Sequence, residues 1–410
     1  MAPVVMLRLR GVIRLLAGVP LTAALSSISP TISGCSFVQS VTSWLEHEGM
    51  ICANADPKLF PQTNHPVLQV STVDKDESST QRALLLHLLA SPNSLEECVS
   101  STCTREMLQQ STDSPLIHLH QDVWNAKQDI VQSRLLMRFG KYKSRLYARQ
   151  TIAKRIDATT ALDFLEEHHL WSAVKSKYYY GLYTTKSPSS LVAVATFSSR
   201  RKVTRDGLPH RSHELIRFCT RRDGMVVGAI SKLIKAFITD QQPDDIVTVV
   251  DRDWGPGDGW HQLGFQTVHV MPPLPMAISG KDGMRRHLVG AGIQSNNNTG
   301  SNTSTRSTGR LGLDDVLLEE LHSQNTYEGA IHCLAQHQYY PVYDAGVERL
   351  LLIVSNQQEQ SHQSAMKLWQ NSVPTYASTY YSSNTGIQSL LDNAKMNAGE
   401  DGTNSLRPQI

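Results

Sequence analysis

Between residues 214 and 250 the chain alternates in a way that permits few folds. "ELIRFCT", 214–220, is a short apolar run with the length of a strand. "AISKLIKAFITD" follows shortly after, and in it Ile230, Leu233, Ile234, Phe237 and Ile238 fall at i, i+3, i+4, i+7 and i+8. That spacing makes one apolar face of a helix. "DDIVTVV", 244–250, then reads as a buried strand. Strand, helix and strand in this order form a βαβ unit, whose strands must be parallel and whose crossover is right-handed. The loop 221–230 therefore lies at the carboxyl end of the first strand and the amino end of the helix. A helix start offers unpaired N–H groups and a positive dipole end, which suit a phosphate. Gly224 and Gly228 let the backbone approach an anion closely, although an ordinary turn uses the same residues.

The flanks add further elements. "DATTALDFLEEHHL", 157–170, reads as a helix capped by Asp157 or Thr159. "YYYGLYTT", 178–185, and "LVAVATF", 191–197, are aromatic and β-branched runs split by "KSPSS", which predicts an antiparallel hairpin. "TQRALLLHLLA", 80–90, reads as a short helix. His118 and His120 flank a leucine in "LIHLHQ", and half-buried strand histidines fit that pattern better than a metal pair. In "HCLAQH", 332–337, nothing nearby completes a metal set. The six cysteines are scattered without a CxxC pair, so neither a disulfide framework nor a zinc ribbon is expected, and no metal is.

Organisation follows from composition. Residues 1–45 contain no Asp or Glu but include Arg8, Arg10 and Arg14 among many Ser and Thr. An acid-free, Arg- and Ser-rich leader is the mark of an organelle transit peptide. Residues 1–36 are therefore expected to address a plastid or mitochondrion. "SGCSFVQ", 33–39, is similar to the cleavage site of presequences in algae with secondary plastids. A buried apolar helix is the alternative for "LLAGVPLTAAL", 15–25, which is too short to span a bilayer. No stable membrane span is expected. Residues 37–121 form a region of unassigned role, and 122–354 a folded domain. The Ser/Asn/Thr tract at 295–310 is a low-complexity insertion, and 355–410 a polar tail expected to be disordered.

The ordered series of pieces resembles the GNAT N-acetyltransferase superfamily. It is most similar to a GNAT-like module in bacteriophage proteins labelled homing endonucleases. The pieces are "YARQTIAKRI" at 147–156, "FLEEHHL" at 164–170, "YYYGLY" with "LVAVATFSSRR" at 178–201, and "HELIRFCTRRDGMVVGAISKLIKAFI" at 213–238. "VVDRDWGPGDGWHQLGF" at 249–265 and "YYPVYDAG" at 339–346 complete the series. The resemblance implies an α/β (α+β) fold, a GNAT-like mixed, mostly antiparallel central sheet splayed at its centre and flanked by helices. It implies acetyl-CoA, or a similar acyl-CoA, with its pyrophosphate on Met225, Val226, Val227, Gly228, Ala229, Ile230 and Ser231. The expected chemistry is acyl transfer to an amine, with strand amides polarising the thioester carbonyl.

Two departures weigh on that chemistry. Ile230 stands where the family's loop ends in a small residue, and also fits as the first core residue of the helix. Trp260 stands where the family often places a tyrosine that protonates the leaving thiolate, and an indole is no useful proton source. Glu214 is a candidate base toward the amine, directly or through water, with an arginine salt bridge as its alternative. Asp251, Arg252 and Trp254 resemble the phage module's Asp-Arg-x-Trp, with Asp251 read as a bond to loop amides. His169 matches that module's histidine, although the Gln-Gly expected after it is Trp171-Ser172.

Net charge is close to neutral at +2, yet cations cluster locally. Residues 134–155 hold Arg134, Arg138, Lys141, Lys143, Arg145, Arg149, Lys154 and Arg155 and no acid. Arg200, Arg201, Lys202, Arg205 and Arg211 follow the hairpin. Cations interleaved with Tyr142 and Tyr147 suit a DNA or RNA backbone. A non-catalytic nucleic-acid module using Arg145, Arg149, Arg200, Arg201, Lys202 and Arg205 is thus the alternative to an acyltransferase. A solvated helix face has the same composition. No nuclease motif is visible.

Overall fold

The computed structural model describes residues 34–61, 63–72, 83–94, 114–186, 189–205, 208–222, 224–255, 257–271, 273–290, 312–354 and 390. The Ser/Asn/Thr tract, nearly all of the leader and nearly all of the polar tail lie outside them.

The chain opens with helix α1 (Gly34–His47) and a sheet of β1 (Met50–Asn54), β2 (Val67–Thr72), β3 (Ala83–Leu89) and β4 (Leu116–His120), in that order. The helix expected at 80–90 is strand β3 instead. It pairs antiparallel with β2 and parallel with β4, and Leu84–Leu88 are buried throughout. A short run that is apolar on both sides has no period, so burial in the middle of a sheet decides its form. His118 and His120 do lie in a strand, but both are fully buried rather than half-buried. α2 (Gln121–Ala126) and α3 (Gln128–Arg138) follow directly. Trp124, Val131, Leu135 and Phe139 join Phe37, Val41, Leu86 and Leu119 in one core, so α3 packs on this first sheet.

Next come β5 (Ser144–Tyr147), β6 (Thr151–Arg155), α4 (Ala158–His168), β7 (Tyr178–Thr184), β8 (Leu191–Phe197), β9 (Arg201–Arg205) and β10 (Leu208–Thr220). β11 (Gly224–Val227), α5 (Ala229–Gln241), β12 (Asp245–Asp251), α6 (Asp258–His261) and β13 (Gln266–Met271) follow. Asp157 caps α4, accepting the Thr160 N–H at 2.8 Å. β14 (Pro275–Ser279), β15 (Arg285–Gly290), β16 (Gly312–Leu313), α7 (Asp315–His322), α8 (Tyr327–Gln336) and β17 (Tyr339–Tyr343) form a separate small sheet with its own core. β18 (Val347–Ile353) then returns to the main sheet.

Among the described residues the main sheet runs β13-β18-β12-β10-β8-β7-β6, with β9 hydrogen-bonded beside β10. Every pair in it is antiparallel except β10 with β12. That pair is the βαβ unit, and α5 is its crossover. α5 lays Leu233, Ile234 and Phe237 on Ala193, Ala195, Phe197 and Leu215. α4 lays Ala161, Phe164 and Leu165 on Tyr179, Val194 and Cys219. Alternate residues of β8 thus serve opposite faces, as strand geometry requires. The result is a mixed, mostly antiparallel sheet flanked by helices, the fold class expected from the sequence.

Candidate functional site

The two parallel strands stay together only briefly. β10 pairs with β12 over Ser212–Glu214 and Asp245–Val247 and no further. The ladder of β10 with β8 shifts register between Leu215 and Arg217, leaving Ile216 as the extra residue. A bulge bends its strand. β12 meanwhile continues to Asp251 along β18. At the apex, the Thr248 hydroxyl donates to the Leu215 carbonyl at 3.0 Å. Beyond that bond the strands part, and a cavity of about 350 Å³ fills the wedge. This volume lies in the range of small-molecule sites.

The cavity has two unlike walls. Leu215, Phe218, Val250 and Trp260 line it and belong to the core beneath α5. Trp260 meets Phe218 edge-on at 6.4 Å and Phe265 at 5.4 Å, so its ring is structural packing at the mouth. The other wall carries Arg134, Arg138, His169, Trp171, Arg217 and Asp251.

The polar groups of that wall are held in place. Asp251 accepts from the Trp171 indole at 3.1 Å and from the Asp253 N–H at 2.9 Å. Burial, then the nearby Asp253 and Asp344 carboxylates, push its acid dissociation up to about 8, against the pull of Arg134. Arg217 donates to the Ser172 carbonyl at 3.2 Å and the Ile216 carbonyl at 2.8 Å, and stacks over Trp171 at 5.2 Å. Arg134 lies over the Trp254 ring at 4.3 Å. Its ionisation is lowered to about 10 by burial, with Asp251 opposing. His169 Nδ1 sits 3.0 Å from the Trp171 nitrogen and 2.9 Å from its carbonyl oxygen. Burial and then Arg217 depress His169 to about 3, so the ring is neutral.

At the start of α5, Gly228 takes the left-handed conformation with φ 78° and ψ 12°. The first helical bond runs from the Lys232 N–H to the Gly228 carbonyl, so the amides of Ala229, Ile230 and Ser231 precede the ladder. Gly228 and Ser231 are exposed. Ile230 packs against the core under the helix, which turns its branched side chain away from the opening. Met225, Val226 and Val227 are strand rather than loop, since β11 pairs in parallel with β5. Two valines and a methionine favour a strand once a partner is available. Alternate amides of this segment are therefore spent on β5. Arg145 is the register partner of Met225, and Tyr147 that of Val227. Arg145 and Arg149 are both exposed and hold their guanidinia 5.2 and 4.7 Å from the Tyr147 ring. These two arginines thus collar the helix start.

Glu214 lies in the closed part of the wedge and is ion-paired to Arg201, off the cavity wall. Arg200 is exposed beside it. Lys202 and Arg205 belong to β9, on the edge against β10. The structure therefore separates Glu214, Arg200 and Arg201 from the cavity. It gathers Arg134, Arg138, Arg217, Trp171 and Asp251 there instead. Arg217 had a legible signal, a cation at an inward position of an apolar strand. Among the described residues no group of three or more His, Cys, Asp or Glu could hold a metal ion. None of their helices is long and apolar enough to cross a membrane.

No protein-family model matches the chain, and no curated protein does. Among solved structures, one described as histone acetyltransferase HPA2 and related acetyltransferase, from Corynebacterium glutamicum, matches at 14% identity with a TM-score of 0.23. That alignment covers 30% of this chain and 88% of the other. The fold class here follows from strand order and register.

Proposed function

We propose that the protein binds acyl-CoA in the wedge and transfers the acyl group to an amine. The observation that carries this reading is the parting of β10 from β12 at Leu215 and Thr248, with the open start of α5 beyond it. The amides of Ala229, Ile230 and Ser231 receive the pyrophosphate, and Arg145 and Arg149 add charge for phosphate. The thioester lies against the apolar wall. Past Leu215 β10 has no β12 partner, and N–H groups on that side of the strand polarise its carbonyl.

Asp251 is the base in this reading, in place of Glu214. The amine nitrogen forms a bond to the acyl carbon, the carbon–sulfur bond breaks, and the amine proton passes to Asp251. CoA leaves as the thiolate and takes its proton from water, since Trp260 has none to give. A carboxylate whose affinity for protons is raised toward that of an amine is suited to the transfer.

Calorimetry with acetyl-CoA, then CoA release with an amine library, tests the reading. Saturable binding is expected. Asp251→Asn should keep that binding and lose turnover by a factor of roughly 10² to 10⁴. Absence of acetyl-CoA binding by the folded full chain overturns the proposal.

A further inference from the structure

The wall facing away from α5 holds more positive charge than the reaction needs. Arg134 and Arg138 stand four residues apart on α3, which places them on one face of that helix. Arg217 joins them from β10. His169 is neutral, and two carboxylates line the cavity against the three arginines: partly buried Asp251, which receives the amine proton, and exposed Asp258, whose charge acts on Arg138.

The arginines are also pre-oriented. Arg134 lies on the face of Trp254 and Arg217 on the face of Trp171. A ring contact restrains a guanidinium, whose planar fork suits a carboxylate. Arg217 is fastened further through Nε and Nη1 to two carbonyls, so it meets an anion as a fixed charge and Arg134 supplies the fork. Arg134 differs: among the described residues no hydrogen-bond acceptor meets its guanidinium, which is held only by the ring and by the charge of Asp251. Arg134 is only partly buried and lines the cavity, so its guanidinium is placed to meet an acceptor that enters there.

We infer that this wall is a carboxylate site and that the acyl acceptor is an amine carrying a carboxylate, the amino-acid class of substrate. The inference rests on the acyltransferase reading for the role of the amine, while the anion site stands on its own geometry. The carboxylate docks on Arg134 and Arg217, and the amino group of the same molecule lies toward Asp251. Reaction forms the amide bond, breaks the thioester, sends the amine proton to Asp251 and releases CoA as the thiolate. The product is an N-acyl amino acid that keeps its carboxylate.

The test uses the full chain and two probe sets, the twenty N-acetyl amino acids and their C-terminal amides, read by calorimetry and by thermal shift with and without CoA. At least one carboxylate should bind, with its amide weaker by roughly tenfold or more, the worth of a charge-assisted bond. Arg134→Gln should weaken the carboxylate by a similar factor and leave acetyl-CoA affinity unchanged. Should that variant fail to fold, Arg134→Lys keeps the charge without the fork and should still lose most of the preference over the amide. Equal binding of acid and amide, an undiminished preference in the Arg134 variants, or no carboxylate bound at all would each overturn the inference. Carboxylate binding without acetyl-CoA binding would instead sink the acyltransferase reading and leave the anion site standing.

Discussion

Gly228→Asp probes the helix start most directly. The backbone there has φ 78°, and an added Cβ would lie 3.5 Å from the Ala148 Cβ, an ordinary contact. Space is therefore not the obstacle. The left-handed conformation costs a non-glycine residue about 1–2 kcal/mol. That is a fall in Tm of roughly 2–8 °C for a domain of this size. The carboxylate cannot repay this as a helix cap, because a capping side chain needs an extended backbone. Against a bound pyrophosphate at about 5 Å, one added negative charge opposes each phosphate charge by about 1–3 kcal/mol for effective dielectrics between 80 and 20. Acetyl-CoA affinity should fall by a factor of about 5 to 150. Gly228→Ala carries the strain without the charge, so it should match the loss in Tm and lose much less affinity. Thermal melts and calorimetry on both variants separate the two effects. If folded Gly228→Asp binds acetyl-CoA as tightly as the wild type, the phosphates do not sit at this turn.

Two further outcomes are expected. Phe237 stacks on Phe197 with centroids 3.8 Å apart and planes 5° from parallel, and meets Tyr178, Tyr180 and His213 edge-on. Phe237→Ala should cost about 3–5 kcal/mol in chemical denaturation, and a loss under about 1 kcal/mol would contradict the packing. Stability should also decline as pH rises above neutral. Asp344 is raised to about 6 and Asp251 to about 8, both above an unfolded value near 3.9, so their contribution is full below that value and is lost as pH climbs through each. Asp253 works in the opposite sense, being held down at about 2, and matters only in acid. His169, held at about 3, and His87 and His213, also lowered, act in the opposite sense up to their unfolded value near 6.5. The fall in the denaturation midpoint is therefore read between about pH 7 and pH 9, where Asp251→Asn should flatten the slope; an unchanged slope would place the effect elsewhere.

Elements with a one-sided pattern were legible from residues alone. α5, α4, the hairpin of β7 and β8, and the parallel pair around α5 all alternate in a way that names both their form and their buried face. β3 was not, because its leucines fall on both sides of the strand, with only His87 to break the run. β11 was hidden too, since its partner β5 lies far upstream and three residues between glycines resemble a turn. The helix start was readable, with Gly228 in the left-handed turn ahead of it. The cavity's polar wall was not. Arg134 belongs to a basic stretch that suits any polyanion, and only the fold turns it inward, away from exposed Arg145 and Arg149. Asp251 reads as a loop-capping residue and does cap a loop, accepting the Asp253 N–H. That it also faces a cavity depends on where β10 bends.

The small sheet inserted between β13 and β18 governs the order in which the molecule can be completed. β12 has β18 as its outer neighbour, and β18 joins β13 to the sheet. On the ribosome, both lips of the wedge emerge well before residue 347, the first residue of the strand that braces one of them. Until then β12 presents an unpaired edge, and the long closure has its entropy still to overcome. Nascent chains released short of that strand would display a sticky half-built sheet, so the arrival of β18 is what makes the protein safe from self-association.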